Sequence, residues 1–285
     1  MKNYKLSDET KMLPWGTVLR RVVATTTFTL ACGITINAGD VGGWIEKKSN
    51  LSGDAWVSNN AQIFGNAKVS GDAWVYGDAK VCGNALISGN TMVYGNAWIY
   101  NKAQVYGDAQ IFGDALIYGR AKVSNNAQVY DNAQVYGNAW VYDSAQVYGD
   151  ALVFGDAEVY GNAEASCNAL VHGNAKVSGN VLVSDNAQVY GDAQVYGNAE
   201  VFDDAEVAGN AKVMTAGDYL VFKNSWSSGR HFTWTKSNDM WAVGCFYGTG
   251  DELIKKAYAD NKVRGKHYEA CVKSVKTMKN MEKPK

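Results

Sequence analysis

The chain has 285 residues, with 30 glycines, two prolines and a net charge of −1. Its length allows one to three domains, and the scarcity of proline argues against proline-rich linkers. The near-neutral total hides a division. Residues 1–52 carry seven Lys/Arg against four Asp/Glu, residues 53–214 carry seven against seventeen, and residues 215–285 carry thirteen against seven. An acidic middle is a poor nucleic-acid-binding shaft, because a phosphate backbone needs neutralising cations.

Residues 1–52 read as an N-terminal β cap. Thr17–Thr29 is β-prone, and Gly39-Asp40-Val41-Gly42-Gly43-Trp44-Ile45-Glu46 leads toward the acidic middle region. The stretch from Val18 to Ala38 matches the pattern of a signal peptide only superficially. Thr25, Thr26, Thr27 and Thr29 interrupt its apolar run, and it starts too far from Met1. No run reaches the ~20 apolar residues of a membrane span, so no membrane partner is expected. Cys32, Cys82, Cys167, Cys245 and Cys271 are odd in number, scattered and without a C-x-x-C. They indicate neither a disulfide framework nor a zinc site, and reduced thiols in a cytoplasmic protein are the simplest account.

From Gly53 the sequence reads GDAWVS, NNAQIF, GNAKVS, GDAWVY and continues to GNAKVM at 209–214, giving 27 hexapeptides without insertion or deletion. Position 3 is Ala except at Thr91 and Val181, and position 5 is Val or Ile except at Ala165. In Ala-x-Val-Tyr, positions 3 and 5 share one face and positions 4 and 6 the other, the period of a strand. Gly, Asn and Asp at positions 1 and 2 tolerate positive φ and form side-chain turns, leaving room for about four residues per strand. So short a strand gains stability by stacking on its equivalent in the next coil, ~4.8 Å away.

The repeat resembles the hexapeptide-repeat family of left-handed parallel β-helices, in which an aliphatic residue is followed four places later by a small one. Val57 to Ala61, Ile63 to Ala67 and Val69 to Ala73 fit that motif, and the likeness covers residues 53–214. It implies an all-β, left-handed parallel β-helix with three hexapeptides per triangular coil, about nine coils and about 40 Å of shaft. The GDVGGWIE segment is similar to the lead-in of uncharacterised hexapeptide-repeat proteins from bacteria and their phages. That likeness implies a bacterial or phage setting and brings no activity.

Dividing the repeats by three gives three outer faces. One carries Trp56, Trp74 and Met92, with Tyr76, Tyr94, Phe112, Tyr130 and Tyr148. A second carries Trp98, Leu116, Leu152 and Leu170 beside Tyr100, Tyr118, Tyr136 and Phe154. The third, with Lys68, Lys122, Glu158, Lys176, Lys212 and serines 70, 88, 124 and 178, reads as solvated. Apolar outward patches of this length favour self-association. The expected interface is Trp56, Trp74, Tyr94, Trp98, Tyr100, Leu116, Tyr118, Tyr136, Leu152, Phe154 and Leu170. A trimer is favoured because hexapeptide-repeat proteins are commonly trimeric. The alternative is that tyrosine ladders simply stabilise the stacked strands.

Residues 215–285 break the repeat and read as a small α+β domain of order βββαα. Tyr219–Trp226, His231–Lys236 and Met240–Tyr247 are the expected strands. Thr249-Gly-Asp-Glu252 is a capping box for a helix to about Ala259. Tyr268, Cys271, Val272, Val275 and Met278 have the spacing of a helix packed on the sheet. Trp226, Arg230, His231, Trp234, Lys236, Trp241 and Tyr247 form a basic, aromatic cluster suited to binding. Phe232 and Trp234 share a strand face, which equally suits a core.

Acyltransferases of the hexapeptide-repeat family use a catalytic His and a loop projecting from the helix. The shaft has one His, His172, and no projecting loop, so His172 is only a weak catalytic candidate. Asp72, Asp78, Asp108 and Asp114 at position 2 suit turns better than calcium, which needs converging oxygens. Cys167 takes a position 1 slot whose conformation is unusual for Cys. It is a reactive thiol or, more simply, tolerated drift. No metal or cofactor is indicated.

The leading expectation is a non-enzymatic oligomeric scaffold presenting a C-terminal recognition domain, with a phage-encoded protein binding a host molecule as one form of it. The alternatives are a protein that sequesters a nucleotide-like small molecule in intersubunit grooves, and an acyltransferase. The repeat itself yields a packing prediction. Ala165 leaves a hole that Val181, one coil later on the same face, is placed to fill, so Val181→Ala should destabilise more here than beside an intact valine. Denaturant unfolding of Val181→Ala, with and without Ala165→Val, checks it.

Overall fold

The computed structural model describes residues 3–281. Five strands precede the repeat: β1 (Tyr4–Met12), β2 (Val18–Ala24), β3 (Phe28–Thr29), β4 (Thr35–Ile36) and β5 (Val41–Ile45). The hexapeptides supply one strand each, β6 to β32, from Trp56–Val57 to Lys212–Val213. Each strand pairs in parallel with the strand 18 residues on, as in Trp56↔Trp74 and Val57↔Val75. Three sheets result, of twelve, nine and nine strands, and they form the sides of a nine-coil parallel β-helix. Most of these strands span only two residues, shorter than the four expected, because the left-handed corner at position 1 of every hexapeptide breaks the extended run.

Position 3 alanines and position 5 aliphatics fill the interior with essentially no solvent exposure. Each buried valine contributes roughly 1.5–3 kcal/mol before entropy is subtracted. Position 1 requires a left-handed backbone. Glycine supplies it at most corners, while Asn59, Asn101, Asp131, Cys167 and Asp185 adopt φ between 55° and 60°. Cys167 therefore holds a strained corner, as its place in the repeat predicted.

The inter-coil hydrogen bonds have a prevailing direction. Amides of positions 2, 4 and 6 donate to carbonyls of positions 1, 3 and 5 one coil on, as in Asn60 to Gly77, Trp56 to Ala73 and Ser58 to Val75, each 2.9 Å. The first coil therefore exposes mostly carbonyls and the last mostly N–H groups, and both need partners. At the N-terminal end the partners are donors. Asn50 Nδ2 donates to Gly65 O (3.1 Å) and Ala67 O (2.8 Å), Arg21 Nη1 to Asn59 O (3.0 Å), and the Tyr4 hydroxyl to Leu51 O (3.0 Å). Burial raises the Tyr4 hydroxyl to a pKa of about 12, so it stays a donor.

The lead-in is part of the helix. Trp44 and Ile45 of β5 pair in parallel with Gln62 and Ile63, and Leu51 bridges Val69, so the ladder starts before Gly53. β1 and β2 extend the same sheet in antiparallel order. Gly43 is required there, because a Cβ would lie 2.7 Å from Ala61 O. Phe28 of the β3–β4 hairpin packs edge-on against Trp56, 5.9 Å between centroids, and Trp56 is only 2% exposed.

After the shaft come β33 (Tyr219–Lys223), β34 (His231–Thr235), β35 (Met240–Val243), β36 (Phe246–Thr249), α1 (Gly250–Asp260) and α2 (Lys262–Met281). The order is ββββαα, one strand more than βββαα. Gly244, at φ 56°, turns the chain inside Met240–Tyr247 and folds that segment into two antiparallel strands. β33 stops at Lys223, short of the expected Trp226. Thr249 and Glu252 cap α1 reciprocally, with Thr249 N–H to Glu252 Oε2 at 2.8 Å. Phe232, Trp234, Trp241, Tyr268, Val272 and Val275 form the domain core, whereas Met278 lies 46% exposed outside it. Among the described residues no helix is long and apolar enough to cross a membrane.

This domain meets the N–H-rich end of the shaft with acceptors. Thr233 Oγ1 accepts from Glu206 N (2.8 Å), Ser237 Oγ from Lys212 N (2.7 Å), and Asp218 Oδ2 from Met214 N (2.9 Å) and Thr215 N (2.9 Å). The position 4 carbonyl of Glu200, which also faces this end, accepts from the Tyr219 hydroxyl (3.0 Å). Partial burial pushes the Asp218 carboxyl up. The hydrogen bonds from Met214 and Thr215 and the Lys236 charge outweigh that, and its pKa lies below the ordinary 3.8.

A carboxylate with a depressed folded pKa adds stability above its unfolded pKa and loses it as pH falls through the folded value. Asp218→Asn should therefore lower the melting temperature at pH 7, by about 2–4 °C for each 1 kcal/mol, with the difference from wild type vanishing near pH 2. Scanning calorimetry at both pH values reads this. The Thr91 hydroxyl, by contrast, is buried in the alanine column without a hydrogen-bond partner among the described residues. Thr91→Val keeps the shape and removes the orphan, so it should stabilise the protein by about 1–2 kcal/mol in denaturant unfolding.

Candidate functional site at the junction of shaft and C-terminal domain

The seven residues of the basic aromatic cluster do not act as one group. Trp234 and Trp241 are 3% and 2% exposed, and they belong to the core rather than to a binding surface. The Trp234 indole N–H is held by Asp239 Oδ1 at 2.8 Å, and Trp241 packs on Phe222 at 6.0 Å. Tyr247 turns back to the shaft and donates to Ala208 O (3.3 Å). The backbone of Lys236 joins the Asp218 turn. Trp226 is 87% exposed on the β33–β34 loop. Arg230 and His231 remain, and they face a cleft.

The cleft, of about 260 Å³, lies between the last coils and the C-terminal sheet. The shaft contributes Asn186, Gln188, Asp204 and Glu206, and the domain contributes Arg230, His231, Gly244 and Cys245. Its shaft wall is positioned by a ladder that the repeat creates. Position 2 side chains stack every 18 residues, so Asn168 Nδ2 donates to Asn186 Oδ1 (3.1 Å) and Asn186 Nδ2 donates to Asp204 Oδ1 (3.2 Å). The other Asp204 oxygen stands 3.3 Å from His231 Nδ1 and ties domain to shaft. Burial pushes the Glu206 carboxyl up, opposed by the Tyr190 hydroxyl (3.3 Å), the Gly244 N–H and the His231 charge.

Tyr190 ends a column of stacked rings: Tyr100, Tyr118, Tyr136, Phe154, His172 and Tyr190, with centroids 4.7–5.2 Å apart and planes within 5°. His172 is thus an inner member of an aromatic column, and burial pushes its pKa down. A second column runs from Tyr76 through Tyr94, Phe112 and Tyr130 to Tyr148 at 4.7–4.9 Å. Each stacked pair is worth about 0.5–1.5 kcal/mol beyond its area. The ladders thus account for much of the outward aromatic sequence.

Among the expected interface residues, Trp56 is removed by its burial under Phe28. Tyr94, Tyr100, Tyr118, Tyr136 and Phe154 are half-buried in the columns. Trp74 stacks on Tyr76 (3.9 Å). Leu116, Leu152 and Leu170 are half-buried, and Trp98 is 38% exposed. The third face is less polar than expected, because it also carries Leu86, 42% exposed, and a Trp140–Tyr142–Tyr160 stack at 4.4 and 4.8 Å. Position 2 aspartates are ladder acceptors, as in Asn90 to Asp108 (2.8 Å) and Asn96 to Asp114 (2.8 Å). Among the described residues no group of three or more His, Cys, Asp or Glu is placed to hold a metal. The five cysteines are free.

Sequence reasoning missed Gln188, Tyr190, Asp204, Glu206 and Cys245. The signal existed in the spacing: Tyr190 to Glu206 is sixteen residues, as are Tyr142 to Glu158 and Tyr148 to Glu164, and all three pairs are hydrogen-bonded.

Twenty-seven stacked hexapeptides make the shaft a parallel β-helix. Residues 61–77, 127–143, 145–161 and 175–191 match the family described as YdcK Beta solenoid repeat. No curated protein matches the chain. Among solved structures it is similar to LpxA, a UDP-N-acetylglucosamine acyltransferase from Bacteroides fragilis. The identity is 16%, over 76% of this chain and 81% of that one, with a TM-score of 0.28.

Proposed function

We propose that the protein is a rigid, self-associating scaffold whose C-terminal domain both closes the shaft and serves as its recognition module. The observation that carries this reading is the unbroken shaft closed at both ends. Twenty-seven hexapeptides run without a projecting loop, and the domain that ends the ladder also builds the junction cleft. A solenoid with no insertion has little freedom to bend, which suits holding a module at a fixed distance and orientation. The GDVGGWIE lead-in supports a bacterial or phage setting, with a host molecule among the partners to be sought.

Self-association would use the face with Trp98, Leu116, Leu152 and Leu170, where Trp98 stands 38% exposed beside half-buried leucines. Light scattering on wild type should give the mass of a trimer, and Trp98→Glu combined with Leu116→Glu should shift it to a monomer at micromolar concentration. Both side chains point outward, so the double variant should keep its circular dichroism. A monomeric wild type would sink the self-association part of this reading.

A further inference from the structure

The groups in the junction cleft differ in how far they are already committed. Asp204 is used twice, by Asn186 on one oxygen and by His231 on the other. Glu206 takes the Tyr190 hydroxyl and the Gly244 N–H. Both acids are therefore engaged within the protein. Arg230 is the contrast: its main chain closes the β33–β34 loop through Asn224 and Ser228. Among the described residues no carboxylate or carbonyl engages its guanidinium, which lies beside Gly244, where a Cβ would sit 3.9 Å from Nη1. The Gln188 side-chain amide, half-buried on the shaft wall, likewise has no hydrogen-bond partner among the described residues.

The guanidinium is a planar fork of donors that matches an oxyanion in two-point geometry. The Gln188 amide on the shaft wall of the same cleft offers a donor and an acceptor, the pair that a hydroxyl or an acylamino group can use. The space sets the size. About 260 Å³ equals roughly nine waters at ~30 Å³ each, enough to seat a hexose ring with one charged substituent. We infer that the junction cleft binds a monosaccharide carrying a single oxyanion, with the oxyanion on Arg230 and the ring hydroxyls on Gln188. The inference rests on the C-terminal domain being the recognition module and names the ligand class of that same site. Carboxylate and phosphate share this chemistry, so both a uronic acid and a sugar phosphate meet it.

Isothermal titration of the full chain with glucuronate, glucose 6-phosphate, glucose and inorganic phosphate tests it. Saturable one-site binding is expected for at least one of the two anionic sugars, and which one binds identifies the oxyanion. Glucose and inorganic phosphate should each bind about tenfold more weakly or not at all. Arg230→Gln should weaken the anionic sugar by about tenfold or more, and Gln188→Ala by several fold. Arg230 is exposed and Gln188 points outward, so an unchanged melting temperature establishes that these variants fold. Binding of neither anionic sugar, equal binding of glucose or phosphate, or binding unaffected by Arg230→Gln overturns the inference. The light-scattering measurement on Trp98 and Leu116 does not touch the cleft, so scaffold and ligand readings can fail separately.

Discussion

The rest of the structure depends on one constraint, the directional backbone ladder between coils. Each hexapeptide sends most of its inter-coil amides forward and most of its accepting carbonyls backward, so the shaft has chemically different ends. The terminal segments match that polarity closely. Donors from Tyr4, Arg21 and Asn50 meet the carbonyl end, and acceptors from Asp218, Thr233 and Ser237 meet the amide end. Unpaired backbone groups at a buried edge are costly, so each cap is specified by the end it covers. The C-terminal domain could not exchange places with the N-terminal strands.

The same periodicity that builds the core organises the surface. Rings at position 6 stack in columns, amides and carboxylates at position 2 hydrogen-bond in files, and tyrosine hydroxyls reach position 4 of the next coil. Three of these systems reach the junction cleft. The aromatic column that begins at Tyr100 ends at Tyr190, the amide file ends at Asp204, and the position 4 row ends at Glu206. Those residues acquire their neighbours because the repeat stops there and a different domain takes the place of the next coil.

This explains what could be read from the sequence. The shaft was legible because its contacts recur every 18 residues, so one pairing predicts all the others. The capping box at Thr249 and Glu252 was legible because it is local. The split of Met240–Tyr247 at Gly244 was not, since a single glycine in a β-prone run gives no direction for the turn. Trp234 and Trp241 looked like binding residues until tertiary packing placed them in the core. The cleft escaped because it joins residues of the last coils to residues of β34 and the Gly244 turn, and the sequence carries no period that links the two. Trp56 was misread for a similar reason, as its cover comes from Phe28 in an irregular hairpin.

An uninterrupted three-sided repeat also makes length and azimuth separable quantities. Adding or removing 18 residues would shift the C-terminal domain along the axis by one strand spacing and leave it on the same side. Changing the shaft by a single hexapeptide would swing that domain by a third of a turn onto another face. The number of hexapeptides therefore works as a ruler and a protractor together. In an assembly joined along one face, it decides whether neighbouring clefts look outward, inward or at each other.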